Sequence, residues 1–265
     1  MLYVGTSGYS YEDWVGPYYP EGLPKSDWLS YYARDFKTTE INYSYYRIPT
    51  AATLGAMAAK VPDDFLFTIK ASGELTHERD PETVRDAAAR FVEALAPLIE
   101  QGKFGCVLAQ FPASFHNTAE NQDYLRRLRD PEMFGDLPLV VEFRNAGWAE
   151  DEVYGLLREL KLGFCAVDQP RFKTLMPPVA VVTSDVAYVR FHGRNYQKWW
   201  QHEEARERYD YQYSREELEE WVPKMSKMAA QAPLMFAFAN NHWRGQSVQT
   251  ARQIEALMAE HVPVA

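Results

Sequence analysis

The feature that most constrains this chain is a rhythm. Short, β-rich apolar runs recur eight times, and most of the gaps between them carry helical stripes. The runs are Leu2 to Thr6, Thr38 to Ile41, Phe65 to Lys70, Phe104 to Phe111, Leu139 to Phe143, Phe164 to Asp168, Ala187 to His192 and Leu234 to Phe238. Each is bounded by turn signals or polar residues. Between them Val84, Ala88, Phe91, Leu95 and Leu98 recur at helical spacing, as do Val153, Leu156, Leu157 and Leu160. Leu218, Trp221, Val222, Met225 and Met228 form a further stripe. These stripes read as core-facing helix surfaces, with Pro97 and Pro223 kinking or bounding the helices that carry them. Near-continuous apolar strands such as Leu139-Val140-Val141 suit a parallel sheet covered on both faces.

Eight strand-helix units in 265 residues average about 33 residues each, close to the smallest βαβ repeat and to the length of a (β/α)₈ barrel. We therefore expect one α/β domain over residues 1–265, a TIM-barrel-like fold. A doubly wound dinucleotide fold is the alternative, but Gly5-Thr6-Ser7-Gly8 lacks the third glycine of that fingerprint. Gln169 to Asp185 and Arg194 to Ser214 read as long irregular connections. With 28 Lys and Arg against 37 Asp and Glu, the net charge of −9 excludes a surface that coats nucleic acid, though not a local basic pocket. No apolar run reaches a membrane span, and Met1 leads straight into Leu2-Tyr3-Val4-Gly5, so a cytoplasmic protein without membrane contact is expected. Cys106 and Cys165 sit in apolar runs and read as buried reduced thiols.

In a barrel, chemistry is built at the carboxyl ends of the strands, and here every run ends polar. The residues are Thr6 and Ser7, Glu40 and Asn42, Lys70, Gln110, Glu142 and Arg144, Asp168, Arg190 with His192 and Arg194, then Asn240 and Asn241. Residues two apart on a strand share a face, so Glu142 with Arg144, and Arg190 with His192, can point toward one cavity. Convergence would set Lys70, Arg144, Arg190 and His192 opposite Glu40, Glu142 and Asp168. That set fits either a structural ion-pair network plugging the barrel mouth or a site for an anionic substrate.

Ten of the 17 tyrosines lie within the first 46 residues, most of them in loops after the first two strands. With Trp14 they suit stacking on sugars or bases, or simple loop packing, and Tyr196, Trp199 and Trp200 are placed to close over such a ligand. Motifs for named chemistries fail. His202-Glu203-Glu204-Ala205-Arg206 has arginine where a zinc helix needs its second histidine. A metal set drawn from Glu40, His77, Glu142, Asp168 and His192 would share its space with Lys70, Arg144 and Arg190, so neither metal nor other cofactor is expected. Gly5-Thr6-Ser7-Gly8-Tyr9 has tyrosine where a nucleophile elbow needs glycine.

Taken together the motifs resemble a known family. Gly5-Thr6-Ser7-Gly8-Tyr9-Ser10-Tyr11 with Trp14 and Tyr19-Pro20 is similar to the opening of the domain of unknown function 72, or YecE-like, proteins. Further matches are Glu40-Ile41-Asn42, Tyr46-Arg47-Ile48-Pro49, Phe67 with Lys70, Gln110-Phe111-Pro112, Val141-Glu142-Phe143-Arg144 with Trp148, Asp168, Tyr188 to Arg194, and Asn240-Asn241 with Gly245. Asn145 and Thr250 depart from the family pattern, which often has histidine and asparagine there. The resemblance implies a TIM-barrel-like fold and no assigned activity. The expected function is a metal-independent enzyme on a small anionic, phosphorylated or sugar-like ligand, with Glu142, His192, Lys70 and Asp168 as catalytic candidates. The ligand-binding candidates are Thr6, Ser7, Tyr9, Trp14, Glu40, Asn42, Tyr46, Arg47, Gln110, Arg144, Arg190, Arg194, Asn240 and Asn241. A nucleic-acid-binding or nucleic-acid-processing barrel and a non-catalytic scaffold are the alternatives.

Overall fold

Continuous apolar strands that must be covered on both faces lead to closure, and the strands do close. In the computed structural model of the chain, eight parallel strands form a closed barrel in sequence order: β1 Leu2–Ser7, β2 Thr38–Ile41, β3 Leu66–Lys70, β4 Phe104–Gln110, β5 Leu139–Glu142, β6 Gly163–Asp168, β7 Val186–Phe191 and β8 Leu234–Ala239. The structure describes residues 1–265 apart from the side chains of Ala205 and Arg206. Those two positions, which fall in the failed zinc motif and the seventh loop, lie outside the described side chains.

The helices are α1 Trp28–Tyr32, α2 Ala51–Ala58, α3 Val84–Glu100, α4 Ala119–Arg127, α5 Asp151–Glu159, α6 Arg215–Glu219, α7 Val222–Ala229 and α8 Gln246–Met258. Side-chain oxygens start several of them: Thr50 caps α2, Thr118 caps α4, and Ser214 with Glu217 makes a capping box on α6. The Val84 stripe of α3 is buried along its length. Pro97 lies inside α3, whereas Pro223 sits in the first turn of α7 and bounds it. The Leu218 to Met228 stripe is divided between α6 and α7. Gln169 to Asp185 joins β6 to β7 without a helix, so the regular alternation lapses at that crossover. Both cysteines are buried and free. No described helix is long and apolar enough to cross a membrane.

The register sets the carboxyl ends at a common level. Ser7 pairs with Glu40, Glu40 with Thr68, Lys70 with Leu108, Gln110 with Glu142 and Asp168 with Phe191. Alternation then decides which of these side chains enter the barrel and which leave it. On the outer face, Phe143 stacks on Trp148 with ring centroids 4.3 Å apart, and Phe191 meets Tyr213 and Trp221 edge-on. Their neighbours Glu142, Arg144 and Arg190 are turned inward.

Candidate active site

Inside the barrel Arg190 is the hub. It is almost fully buried on β7, and its fork donates from Nη1 to Glu142 Oε2 and from Nη2 to Glu40 Oε1, each at 2.6 Å. Nη2 also reaches Ser7 Oγ at 3.5 Å. Burying three charges is tolerable only when each carboxylate oxygen is matched, and here each is. Tyr188 donates to the second oxygen of Glu40 at 2.6 Å, and Thr68 hydrogen-bonds Tyr188 at 2.9 Å. The second oxygen of Glu142 lies 2.9 Å from Arg144 Nε and 3.2 Å from His192 Nε2. Burial alone would push the Glu142 carboxyl up, but Arg144 and Arg190 outweigh it and hold the group well below the usual carboxylate range.

His192 is fixed on both sides. Asn240 Nδ2 donates to His192 Nδ1 at 2.9 Å, which places the ring proton on Nε2, facing Glu142. Burial first, and then the Arg144 charge, pull its pKa down to about 3, so the ring is neutral. Neither Glu142 nor His192 lines the open cavity. Both lie beneath it, and their hydrogen-bonding capacity is committed to the framework. The expectation that they move a proton on the ligand therefore does not fit their placement.

Above this layer is a cavity of about 670 Å³. Its lining holds three cationic side chains, Lys70, Arg144 and Arg190, and no carboxylate; Asn42, Gln110, Asn240, His77 and His242 add polar groups. Six tyrosines form much of the wall: Tyr9, Tyr11, Tyr43, Tyr45, Tyr46 and Tyr209. Gly8 lets the first loop turn back here. Its φ is 87°, its N–H donates to Glu40 O at 2.8 Å, and a Cβ would stand 2.7 Å from the Tyr11 hydroxyl. That turn lets Tyr11 donate to Ser7 O at 2.6 Å and stack on His242 with centroids 4.5 Å apart.

Lys70 differs from its neighbours. Ser44 Oγ donates to its carbonyl at 2.6 Å, fixing the backbone, while Nζ sits 4.7 Å from the centre of the Tyr45 ring. Among the described residues no carboxylate lies within ion-pair range of Nζ. Burial, then the Arg190 and Arg144 charges working against Glu142 and Glu40, lower its pKa to about 7. His77, T-stacked on Tyr45, is likewise pushed down to about 4 by burial and then by Lys70.

Of the sequence candidates, Tyr9, Asn42, Tyr46, Lys70, Gln110, Arg144, Arg190 and Asn240 line the cavity, while Ser7, Glu40, Glu142 and His192 support its floor. The others are corrected by the structure. Asp168 follows inward-facing Val167 and so points outward. There Arg194 grips it through Nε and Nη2 at 2.9 and 2.7 Å, and Tyr213 and Trp221 each donate to it at 2.7 Å. Arg194 belongs to that outer cluster. Thr6 also faces outward, against the Tyr32 hydroxyl at 2.9 Å. Trp14 is fully buried and donates to His242 O at 2.7 Å, so it positions a wall residue and does not offer a stacking face. Asn241 is buried and ties Tyr211 O to Thr250, and Arg47 is exposed away from the lining.

Tyr196, Trp199 and Trp200 do not line the cavity either; Tyr209 from the same loop does. Tyr209 and His242 had no strand-end signal, although His242 directly follows Asn240-Asn241. Among the described residues no three His, Cys, Asp or Glu side chains are grouped to hold a metal ion. The two carboxylates nearest the cavity, Glu40 and Glu142, are both held by Arg190.

Residues 3–264 match a family described as "Protein of unknown function DUF72". Among curated sequences, the UPF0759 protein YunF of Bacillus subtilis (strain 168) is 28% identical over 276 residues, covering 97% of this chain and 95% of that protein. The UPF0759 protein YecE of Escherichia coli (strain K12) is 27% identical over 115 residues, 43% of this chain and 39% of that one. The crystal structure of a DUF72 family protein from Thermotoga maritima MSB8 superposes with a TM-score of 0.89 at 37% identity, covering 98% of this chain and 99% of that chain. One from Enterococcus faecalis V583 gives 0.86 at 26% identity, with 98% and 96% covered.

Proposed function

Because the chain belongs to the DUF72 family, whose description assigns no activity, we propose from the chemistry of the site that its barrel mouth binds and transforms a small anionic, phosphorylated or sugar-like ligand without a metal. The observation that carries this reading is the cavity lining, with three cations and no carboxylate. Arg144 spends Nε on Glu142, and among the described residues neither of its Nη groups hydrogen-bonds to protein. Those donors suit a phosphate or carboxylate. Arg190 is locked by Glu40 and Glu142, so it contributes positive potential and is fixed in place at the floor. The tyrosine wall supplies apolar faces for the rest of the ligand, in the manner of a sugar-binding cleft.

The proton-transfer role falls to Lys70, which lines the cavity and changes charge near neutral pH. With Lys70 protonated, the charges of Glu40, Glu142, Arg144, Arg190 and Lys70 leave one positive charge in excess, which a monoanion would balance. A metal would have to enter against that charge. The tyrosines also keep alive a second reading, stacking of unpaired bases from a nucleic acid, against which the net charge of −9 weighs.

Calorimetric titration of the chain with inorganic phosphate, a sugar phosphate and a short single-stranded oligonucleotide separates these readings. Binding of phosphate and sugar phosphate that weakens in Arg144→Lys is expected. A well-folded chain that binds none of the three is a scaffold, and one that binds only the oligonucleotide supports the second reading.

A further inference from the structure

We propose that Lys70 is a nucleophilic amine that forms a Schiff base with a small aldehyde or ketone which also carries a phosphate or carboxylate. This rests on the anion-binding reading above and names its substrate class.

The geometry points there because Lys70 is the exception among cations held inside the fold. Arg190 has two carboxylates and Arg144 has one. Lys103, fully buried where Lys70 is half-buried at the cavity, donates to the carbonyls of Ala58 and Val61 at 2.9 and 3.0 Å. A lysine kept for structural reasons is expected to have such acceptors, since a desolvated ammonium without them is costly. Lys70 Nζ has only the Tyr45 ring at 4.7 Å, yet its backbone is pinned by Ser44 and its side chain ends in the cavity. The charges around it are Arg190 on β7, Glu142 and Arg144 at the end of β5, and Glu40 on β2, with His77 in its own loop. Their balance leaves a large neutral fraction of the amine at neutral pH, and the neutral amine is the nucleophile. Asn42 lines the same cavity, and its side-chain amide is available to hydrogen-bond the hydroxyl of the first adduct.

The step balances as follows. The nitrogen lone pair forms a bond to the carbonyl carbon while the carbon–oxygen π pair moves to oxygen. A proton passes from nitrogen to that oxygen, giving a carbinolamine. The hydroxyl then takes one further proton from solvent and leaves as water, and the nitrogen is left as an iminium that keeps the positive charge of the site. Arg144 would meanwhile hold the anionic end.

The test is reductive trapping on the full chain. Glyceraldehyde 3-phosphate is added with sodium cyanoborohydride, and adducts are mapped by peptide mass spectrometry, with phosphate calorimetry run on the same preparation. The expected result is one dominant adduct on Lys70, formed ahead of exposed Lys25, Lys60 and Lys173, suppressed by excess inorganic phosphate, and lost in Lys70→Arg. Selectivity for Lys70 and its suppression by phosphate are read in the wild-type chain, so the test stands even if the variant folds poorly. Phosphate binding with no preferred adduct on Lys70 overturns the Schiff-base proposal and leaves the anion reading intact. Absence of both overturns both.

Discussion

Two buried ion networks sit at the same end of the barrel, separated by one step of strand alternation. The inner one joins Glu142, Arg190, Glu40, Arg144 and His192; the outer one joins Asp168, Arg194, Tyr213, Trp221 and Glu220. Their chemistry is nearly the same, arginine forks on carboxylates with aromatic donors completing the shell. What differs is closure. Asp168 accepts four donors on two oxygens and Arg194 also reaches Glu220 at 3.0 Å, so the outer network is saturated by protein. The inner network lies under a cavity, where its outermost donor, Arg144 Nη, and the neighbouring Lys70 Nζ have no protein acceptor among the described residues. Saturation marks a clamp, while donors left over at a cavity mark a site.

The largest effect that tests this contrast is on stability. Asp168→Ala leaves Arg194, Tyr213 and Trp221 without their shared acceptor, and removing one partner of a buried pair costs about 3–5 kcal/mol. Urea unfolding is expected to show that loss, while the folded fraction keeps the phosphate affinity of the wild type. A drop in affinity at unchanged stability would make Asp168 part of the site after all.

Arg144→Lys reverses the pattern. A charge-assisted hydrogen bond contributes about 1.5–3 kcal/mol, so loss of the planar fork is expected to weaken phosphate binding about tenfold or more. The unfolding free energy should change less than in Asp168→Ala, because Arg144 remains partly exposed, at 13%, and a lysine still reaches toward Glu142. A large stability loss with affinity unchanged would move Arg144 into the clamp class.

The contrast also explains what could be read before any coordinates. The barrel was legible because each strand had to be buried on both faces, and that requirement is written into runs such as Leu139-Val140-Val141. The polar strand ends were legible as a ring. Their direction was harder to read, since one residue of phase separates Val167 from Asp168 and Arg190 from Phe191, and a strand only a few residues long does not announce its phase. Asp168 therefore read as inward when it is outward. Tyr209 and His242 reach the cavity by the path of loops, which is set by tertiary contacts such as Trp14 holding His242 O and not by local pattern. The tyrosine-rich opening divided in the same way: Tyr19 stacks on Trp28 at 4.8 Å in the packing, whereas Tyr9 and Tyr11 face the cavity.

Acid separates the networks on a smaller scale. His192, in the inner network, has its pKa held near 3 in the folded chain against 6.5 for an ordinary imidazole. Between those values the unfolded chain binds the extra proton, so stability rises with pH across that window and is lost on acidification below about pH 6.5. One such proton contributes a slope of about 1.4 kcal/mol per pH unit. Unfolding free energies measured from about pH 4 to pH 7 should therefore lose about one proton's share of their slope in His192→Gln, the share of His77 remaining, but keep their full slope in Tyr213→Phe, which alters only the outer network. An unchanged slope in His192→Gln would mean that the ring is not held neutral by its surroundings.

The smallest expected effect concerns two exposed aromatics that resemble one another by composition alone. Tyr46 is 86% exposed and lines the cavity beside Tyr45, whereas Trp200 is 56% exposed and packs on Phe172 at 5.8 Å, away from the lining. Neither closes the core, so Tyr46→Ala and Trp200→Ala should each alter unfolding free energy by no more than about 0.5 kcal/mol. They should differ in binding. An aromatic face against a sugar contributes by contact area, so Tyr46→Ala is expected to weaken a sugar phosphate by about 0.5 kcal/mol, with inorganic phosphate unaffected because it has no ring to stack. Trp200→Ala should leave both affinities alone. Equal losses for sugar phosphate and inorganic phosphate in Tyr46→Ala would show that the tyrosine acts on the anion-binding donors, and a loss in Trp200→Ala would extend the site across the seventh loop.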